Sequence, residues 1–577
     1  WIFDRKSAPG CNEDVMMTND KLTENWDPHV GLWRQPGPGH TSQVADLKET
    51  HPARFAAERL VAAGQIGALS RIDVEKILSA LRKMQCLDGG EHHGCMRWYW
   101  EERRVQDTNS AFFTGLNLIV FRKCWFHEID APCQRVLDAI LADLMIWFSK
   151  AITEKATHYP NKYLGDLVCA WLLGEILENH DERLPVEECM REAAAYWTEQ
   201  HWGWGEHMSD GYATVCLDEL SVLLLLSTEL PEQLRKTYQG LLSRLLAIED
   251  AFGDGPRVPA IRSYAFQHAP AHVNYRDRIR PYEARHASDN DLPSLHNLLF
   301  AKGWRQQVMP RVPQAADVMI DCFDGATAVA RVESDIRIGS LSKFPIMQGV
   351  DHKTWGLSWQ CFPVALWART GDWGFLQWEA TEHGQASGHP ALEKHTAYLN
   401  NALTHSMDPP VVGRTFCLQK GANILAVRVM PRVPKSWQRL SDRFRLVDGH
   451  ADTSEIEKEE AWTQLLLRYP GRTVSVNHVG LNHSVMACLV PNALGGSDLD
   501  VSWRAVELEE LNWIVNLWGI SIDGPVRRSP EIRLNPKRAG SAAGDGVSWT
   551  IRWEWPGVCW FVNVTPFGDC PLAECRT

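Results

Sequence analysis

The sequence predicts an α+β multidomain protein, an incomplete N-terminal α/α toroid followed by an antiparallel β-sandwich. Three observations predict it. Apolar residues recur three and four apart from about residue 53 to 249, that stretch repeats with a period near 50, and after about 310 the period becomes two. At 577 residues the chain is too long for one core. The boundaries read as an arm over 1–50, a helical domain over 51–305, a sandwich over 306–500 and a C-terminal β region over 501–577.

The arm is rich in Pro, Gly, Asn and Asp, and Gln35-Pro36-Gly37-Pro38-Gly39-His40 reads as a loop. Helices then read over 53–63, 73–84, from about 108, 133–153, 162–178, 186–198, after Tyr212, 231–249 and 292–302. Asp107-Thr108-Asn109 aligns with Tyr159-Pro160-Asn161 and with Met208-Ser209-Asp210, at steps of 52 and 49 residues. Two helices per step indicate a helical array or toroid. The first helix of each unit is the more apolar, as an inner ring wrapped by outer helices requires. An Asn or Asp at each inner start then rings one end with amides and carboxylates.

Between about 250 and 290 the helical pattern stops, and Arg257, Arg262, Arg276, Arg278, Arg280 and Arg285 interleave with Tyr264, Tyr275, Tyr282 and three histidines. In a chain of net charge −13 these read as a wall facing an anion. Strands follow, among them 326–332, 336–341, 355–362, 373–379, 423–429 and 463–468, with a last pair within 549–564.

Composition narrows the function. The negative charge argues against a general nucleic-acid binder, and no apolar run has the length of a membrane span. The 26 tryptophans suit stacking on sugar rings. The 15 cysteines include no CxxC pair, so a zinc ribbon is not expected; Cys570 and Cys575, with Cys559 near, are positioned for a late disulfide in an oxidising compartment. Asn482-His483-Ser484 and Asn563-Val564-Thr565 match the glycosylation pattern.

The stretch from His201 to Tyr212 crowds two histidines, two tryptophans, Glu206, Asp210 and a tyrosine onto a Gly-loosened loop before an apolar helix. His and Tyr are the side chains suited to moving a proton near neutral pH. A second loop sets Arg97, Arg103 and Arg104 beside Trp98, Tyr99 and Trp100, offering charge and stacking to an anionic sugar.

A helical toroid followed by an antiparallel sandwich, with Asn, His, Tyr and Arg in that order, resembles the toroid-type polysaccharide lyases: the chondroitin AC, hyaluronate, alginate and heparinase II/III groups. The resemblance covers about residues 50 to 500 in architecture. It implies elimination at a uronic acid, with an Asn neutralising the carboxylate, a Tyr or His removing the C5 proton, and Tyr protonating the leaving oxygen. Carried onto this sequence, Asn161 or Asn109 is the neutraliser, His207 or His201 the base or its partner, Tyr212 the base and acid, and Arg262 the clamp. Tyr163 and Tyr264 compete with Tyr212. Arg97, Trp98, Trp100, Arg104, Asn109, Tyr163, His201, Trp202, Trp204 and Tyr264 are then expected to bind substrate. A free Tyr, with a pKa of about 10, is a weak base, so Tyr212 needs cationic neighbours to lower it.

The same architecture carries glycoside hydrolases, which work with two carboxylates; Glu206 with Asp107 is the pair favoured among Glu101, Glu102, Asp107, Glu206, Asp210, Asp218 and Glu219. A silent sugar-binding protein is a third reading. No cofactor is expected. A structural divalent metal is admitted by the resemblance, with Glu91-His92-His93, Cys95 and five histidines of the β region as the available ligands, although none has the spacing of a catalytic zinc motif. The expected partner is an anionic polysaccharide or oligosaccharide, and the expected location secreted or periplasmic.

Overall fold

The computed structural model describes residues 21–202, 206–253, 255–259, 292, 294–295, 316–344, 361–382, 384–387, 404–405, 411–447, 452–459, 462–492, 495–524, 529–535, 547–555, 557–566 and 573–576. They fall into two compact units. A helical unit is drawn from within Trp1–Glu199, Thr214–Ala247 and Tyr275–Pro310, and a β-rich unit from within Gln200–Ala213, Ile248–Asn274 and Arg311–Thr577.

The expected helices are α1 (Ala53–Gln65), α2 (Val74–Met84), α3 (Ser110–Trp125), α4 (Ala131–Ala151), α5 (Pro160–Ile176), α6 (His180–Glu199), α7 (Asp210–Leu226) and α8 (Glu232–Phe252). Local chemistry sets several starts. Asp73 accepts the Lys76 N–H at 2.9 Å and Asp130 the Cys133 N–H at 2.8 Å, each supplying an acceptor to a helix start that has none of its own. Pro160 opens α5, where its missing N–H costs nothing.

Inner and outer helices differ in how they are buried. Along α5 every residue from Tyr163 to Glu175 is buried, so it has no solvent face. The amphipathic α2, by contrast, buries Ile77, Leu78, Ala80, Leu81 and Met84 on one side. Helices α1, α3 and α5 pack side by side, and Gly165 of α5 lies so close to Glu219 of α7 that an added Cβ would stand 2.6 Å from Oε1. The starts of α3, α5 and α7 are spaced by 50 residues, as the repeat predicts.

In the β-rich unit a nine-stranded antiparallel sheet runs in the order Cys488–Pro491, Ser497–Arg504, Arg439–Val447, Trp373–Glu382, Val364–Ala368, Ile336–Leu341, Thr327–Val332 and Ala316–Asp321, with Gln385–Ser387 paired to the fourth. A seven-stranded sheet runs Asp452–Glu459, Trp462–Tyr469, Arg472–Gly480, Ile514–Ile522, Asn423–Met430, Arg414–Lys420 and Lys343–Phe344. A four-stranded sheet runs Glu531–Asn535, Ser548–Trp555, Val558–Val564 and Ala573–Arg576.

The sandwich gains a third layer. Ile424 and Ala426 point into the core shared with Trp378 and Phe444 of the nine-stranded sheet, while Leu425 and Val427 point the other way, against Trp553 and Trp560 of the four-stranded sheet. The seven-stranded sheet is thus covered on both faces, and Ile514–Ile522 is buried at every position. The boundary expected at 500 falls inside Ser497–Arg504, and Ile514–Ile522 is a central strand of the seven-stranded sheet. The expected strand 355–362, the Arg-rich stretch after 260 and the helix expected over 292–302 lie largely outside the described residues.

Candidate functional site

In the helical unit the starts of α3 and α5 are joined by one line of hydrogen bonds. It begins at Tyr99, whose turn is fixed by Glu102. This buried carboxylate accepts the Trp98 N–H at 2.9 Å and the Tyr99 N–H at 3.3 Å on one oxygen, and the Thr41 hydroxyl of the arm on the other. Arg97 supports the turn by donating to the carbonyls of Lys83, Met84 and Glu102.

His40 of the arm meets that turn. Its Nδ1 lies 2.9 Å from Tyr99 Oη and its Nε2 3.2 Å from Asp107 Oδ2, while its backbone N–H donates to the same phenol at 3.4 Å. Asp107 Oδ1 accepts the Asn109 N–H at 2.9 Å, and Asn109 Nδ2 donates to Tyr159 Oη at 3.3 Å. The His40 side chain is 50% exposed and that of Asp107 34%, so the middle of the line is open to solvent. Aromatic rings flank it: His40 sits edge-on to Trp98, Trp98 packs on Phe113, and the Arg54 guanidinium lies 4.7 Å over Phe113.

Burial would raise the Asp107 carboxyl, yet the hydrogen bonds from His40 and the Asn109 N–H hold it below its ordinary value. An ionised Asp107 can only accept, and both ring contacts are met when His40 Nε2 donates to Asp107 and the Tyr99 hydroxyl donates to Nδ1. Burial pushes the Tyr99 phenol above its usual value, against the His40 N–H, so it stays protonated at rest.

Several residues expected to touch substrate are placed elsewhere. Tyr163 is buried and gives its hydroxyl to the Ile152 carbonyl at 2.9 Å. Trp98 and Trp202 are buried, and Asn161, in the first turn of α5, is fully so. Arg97 spends its guanidinium on backbone carbonyls, whereas Arg103 and Arg104 are exposed and Trp100 is half-buried. His201 is half-buried with φ at 46°. Tyr212 is half-buried in the first turn of α7, its N–H on Ser209 Oγ at 3.2 Å. Arg262, Trp204 and Tyr264 lie outside the described residues.

His207 belongs to the β-rich unit and has a different character from that expected. The short turn Glu206–Met208 is buried, pinned by Arg257, which bridges the Ser209 carbonyl at 2.7 Å and Glu249. His207 Nε2 donates to the Asp321 carbonyl at 3.2 Å, with Cys322 Sγ at 3.7 Å. Burial lowers its pKa to about 3, so the ring is neutral and enclosed. Its Nε2 is engaged by a backbone carbonyl and its Nδ1 is shut from solvent, so neither ring nitrogen is open to a substrate proton.

Four of the carboxylates expected for hydrolysis are enclosed or engaged. Glu206 and Glu219 are fully buried, Glu101 binds His51 at 2.5 Å, and Glu102 holds the Trp98–Tyr99 turn. A hydrolase needs an accessible carboxyl with a raised pKa. Asp166 is raised by burial, but it is enclosed and paired with Lys162 at 2.6 Å; the accessible Asp107 is held low. Among the described residues no three metal-ligating side chains converge. His93 accepts the Gly89 N–H at 3.1 Å and faces Asp143, and His92 packs edge-on to Trp147. No helix of the described residues is long and apolar enough to cross a membrane.

No protein-family model matches the sequence, and no curated protein matches it. Among solved structures the chain is similar to a crystal structure of heparinase III, at 9% identity and a TM-score of 0.48, over 98% of this chain and 93% of that one. It is also similar to a heparinase III gene product with methylated lysines, at 10% identity and a TM-score of 0.36, over 98% and 92% of the two chains. Heparinase III is of the polysaccharide lyase group named from the sequence. At such identities and scores, neither substrate nor mechanism follows for this chain.

Sequence reasoning missed His40, Tyr99 and Tyr159 as partners. Tyr99 lies within the stretch singled out for charge and stacking, and Tyr159 within the aligned repeat. No local signal ties His40 to residues 59 and 67 positions away.

Proposed function

We propose that the protein is a polysaccharide lyase, cleaving a uronic-acid-containing chain by β-elimination, with its inner helices closing as a toroid around the substrate. The observation that carries this reading is the solvent-open line at the starts of α3 and α5, where an amide, two phenols and a His–Asp pair are hydrogen-bonded in series. Elimination beside a carboxylate needs donors for the developing enolate and a group that can take and return one proton. The Asn109 amide supplies a donor, Arg54 a cation beside an aromatic face, and the phenols the proton carriers. Tyr212, at the start of α7, is tested in parallel as the phenol to which the resemblance gives the role of base and acid.

Hydrolysis is the weaker reading, because Asp107 is held low and Asp166 is enclosed. Ultraviolet absorbance and a reducing-end assay on a panel of uronic-acid polysaccharides separate the two. Elimination yields both an absorbing unsaturated uronate and a reducing end. Asn109→Ala is expected to lose activity by about a hundredfold or more, the scale of one lost transition-state donor. Reducing ends without absorbance would move the assignment to a hydrolase, and an intact polymer to a binding protein.

A further inference from the structure

The arm is more than a cover for the helical unit, since it delivers His40 into the line between Tyr99 and Asp107. We propose that Tyr99 is the catalytic base, that His40 is the residue which takes its proton, and that Asp107 is the positioning residue for His40. This rests on the elimination reading above.

Two geometric facts and the ionisation of Asp107 support it. The imidazole bridges phenol and carboxylate at 2.9 and 3.2 Å, one partner on each ring nitrogen. The ionised Asp107 fixes the Nε2–H tautomer, which leaves Nδ1 as the acceptor for the phenol. The His40 backbone N–H also points at Tyr99 Oη, at 3.4 Å, where it favours a developing phenolate. The arrangement follows the logic of hydroxyl, imidazole and carboxylate in series, in which the carboxylate orients the ring and stabilises the imidazolium that forms. It also answers why a buried, protonated phenol can act as a base near neutral pH.

The step balances without an external reagent. As the C5–H bond breaks, its proton passes to Tyr99 Oη while the phenolic proton passes to His40 Nδ1. The C5 electron pair forms the C4–C5 double bond and the C4–O bond breaks. The imidazolium then returns its proton to Tyr99, which gives one to the leaving oxygen, and phenol and neutral imidazole are restored.

The test uses the full chain and the polysaccharide that yields unsaturated product with the wild type. Tyr99→Phe is expected to lose about a thousandfold or more in kcat/KM, and His40→Ala about a hundredfold, partly rescued by added imidazole, within the usual range for proton-transfer groups. His40→Gln, whose thermal unfolding should match the wild type because the side chain is half exposed, is expected to lose as much without rescue. Asp107→Asn should shift the acid limb of the kcat/KM pH profile as well as lower its plateau. Nitrogen-15 spectra, with the His40 signals assigned by their loss in His40→Gln, should show hydrogen on Nε2 in the free protein. Activity within threefold for His40→Ala, an unshifted profile for Asp107→Asn, or a hydrogen on Nδ1 would each overturn the assignment. No unsaturated product from the wild type on any polysaccharide removes the elimination reading and the role of Tyr99 with it. The tautomer is read independently of activity, so failure of the relay and failure of the lyase reading are told apart.

Discussion

Glu102 offers the sharpest separation between holding a site and performing its chemistry. Its carboxylate is buried and accepts three hydrogen bonds, from Thr41 of the arm and from the N–H groups of Trp98 and Tyr99. Glu102→Ala leaves all three donors without that acceptor. Each bond to a charged acceptor is worth about 1.5–3 kcal/mol, and neighbours in one network do not add fully, so a loss of about 4 kcal/mol is expected. Glu102→Gln keeps one carbonyl oxygen and should lose about half as much. At roughly 2–4 °C per kcal/mol for a unit of this size, the helical unit's calorimetric transition should fall by about 10 °C for Ala and about 5 °C for Gln. Activity below these transitions should survive in Glu102→Gln at a tenth of the wild type or better, because the role is to hold Tyr99 in place. A Gln variant with an unchanged transition and a thousandfold loss of turnover would refute this reasoning and make Glu102 a catalytic carboxylate, which is the hydrolase reading.

Arg428 and Asp442 form a fully buried pair at 2.7 Å between the nine- and seven-stranded sheets, and Asp442 also accepts from Asn516 at 2.7 Å and Trp518 at 2.9 Å. Asp442→Ala should cost the β-rich unit about 3–5 kcal/mol, whereas Arg428→Met with Asp442→Leu should recover most of it in denaturant titrations. His207 and His478 are both buried with pKa values lowered to about 3 by burial. Their neutral forms stabilise the fold fully above the unfolded pKa of about 6.5, and that contribution is lost as pH falls toward 3. At pH 5 each should cost the β-rich unit up to about 2 kcal/mol, a loss that His207→Gln should roughly halve. In the arm, His51 lies between Glu101 at 2.5 Å and Asp27 at 3.4 Å. Burial opposes its protonation, yet the two carboxylates raise its pKa, so its contribution is whole below about 6.5 and fades as pH rises through the folded value. Burial would raise Asp27, but hydrogen bonds from His29, Arg34 and Val30 bring it to about 2, so its contribution is whole above about 4 and fades as pH falls toward 2. Protection of the Gly31 and Arg34 amides against hydrogen exchange, relative to their intrinsic rates, should therefore be greatest between about pH 4 and 6.5, by an amount on the order of 1 kcal/mol after solvent screening.

The sequence by itself determined the order and type of the elements. The 50-residue step and the all-round apolar character of residues 164–173 settled which helices lie inside, because a helix without a polar face has nowhere else to go. The short apolar run at 423–429 read as a strand, and the continuous burial of Ile424–Met430 explains why, Arg428 apart, both its faces are apolar. Asn109 was legible as a helix-start amide, and the 97–104 stretch as a place of charge and stacking.

Only the tertiary structure decided which of these side chains meet. His207 sits in the most suggestive stretch of the sequence, yet burial and a backbone carbonyl hold its ring neutral and enclosed. His40 sits in an unremarkable Pro-Gly loop, yet it is brought between a phenol and a carboxylate from the far side of two helices. Residue type and spacing fix what a side chain can do. Whether it does so depends on solvent access and on partners distant in the chain, and these arise only when the arm is laid against the helix starts.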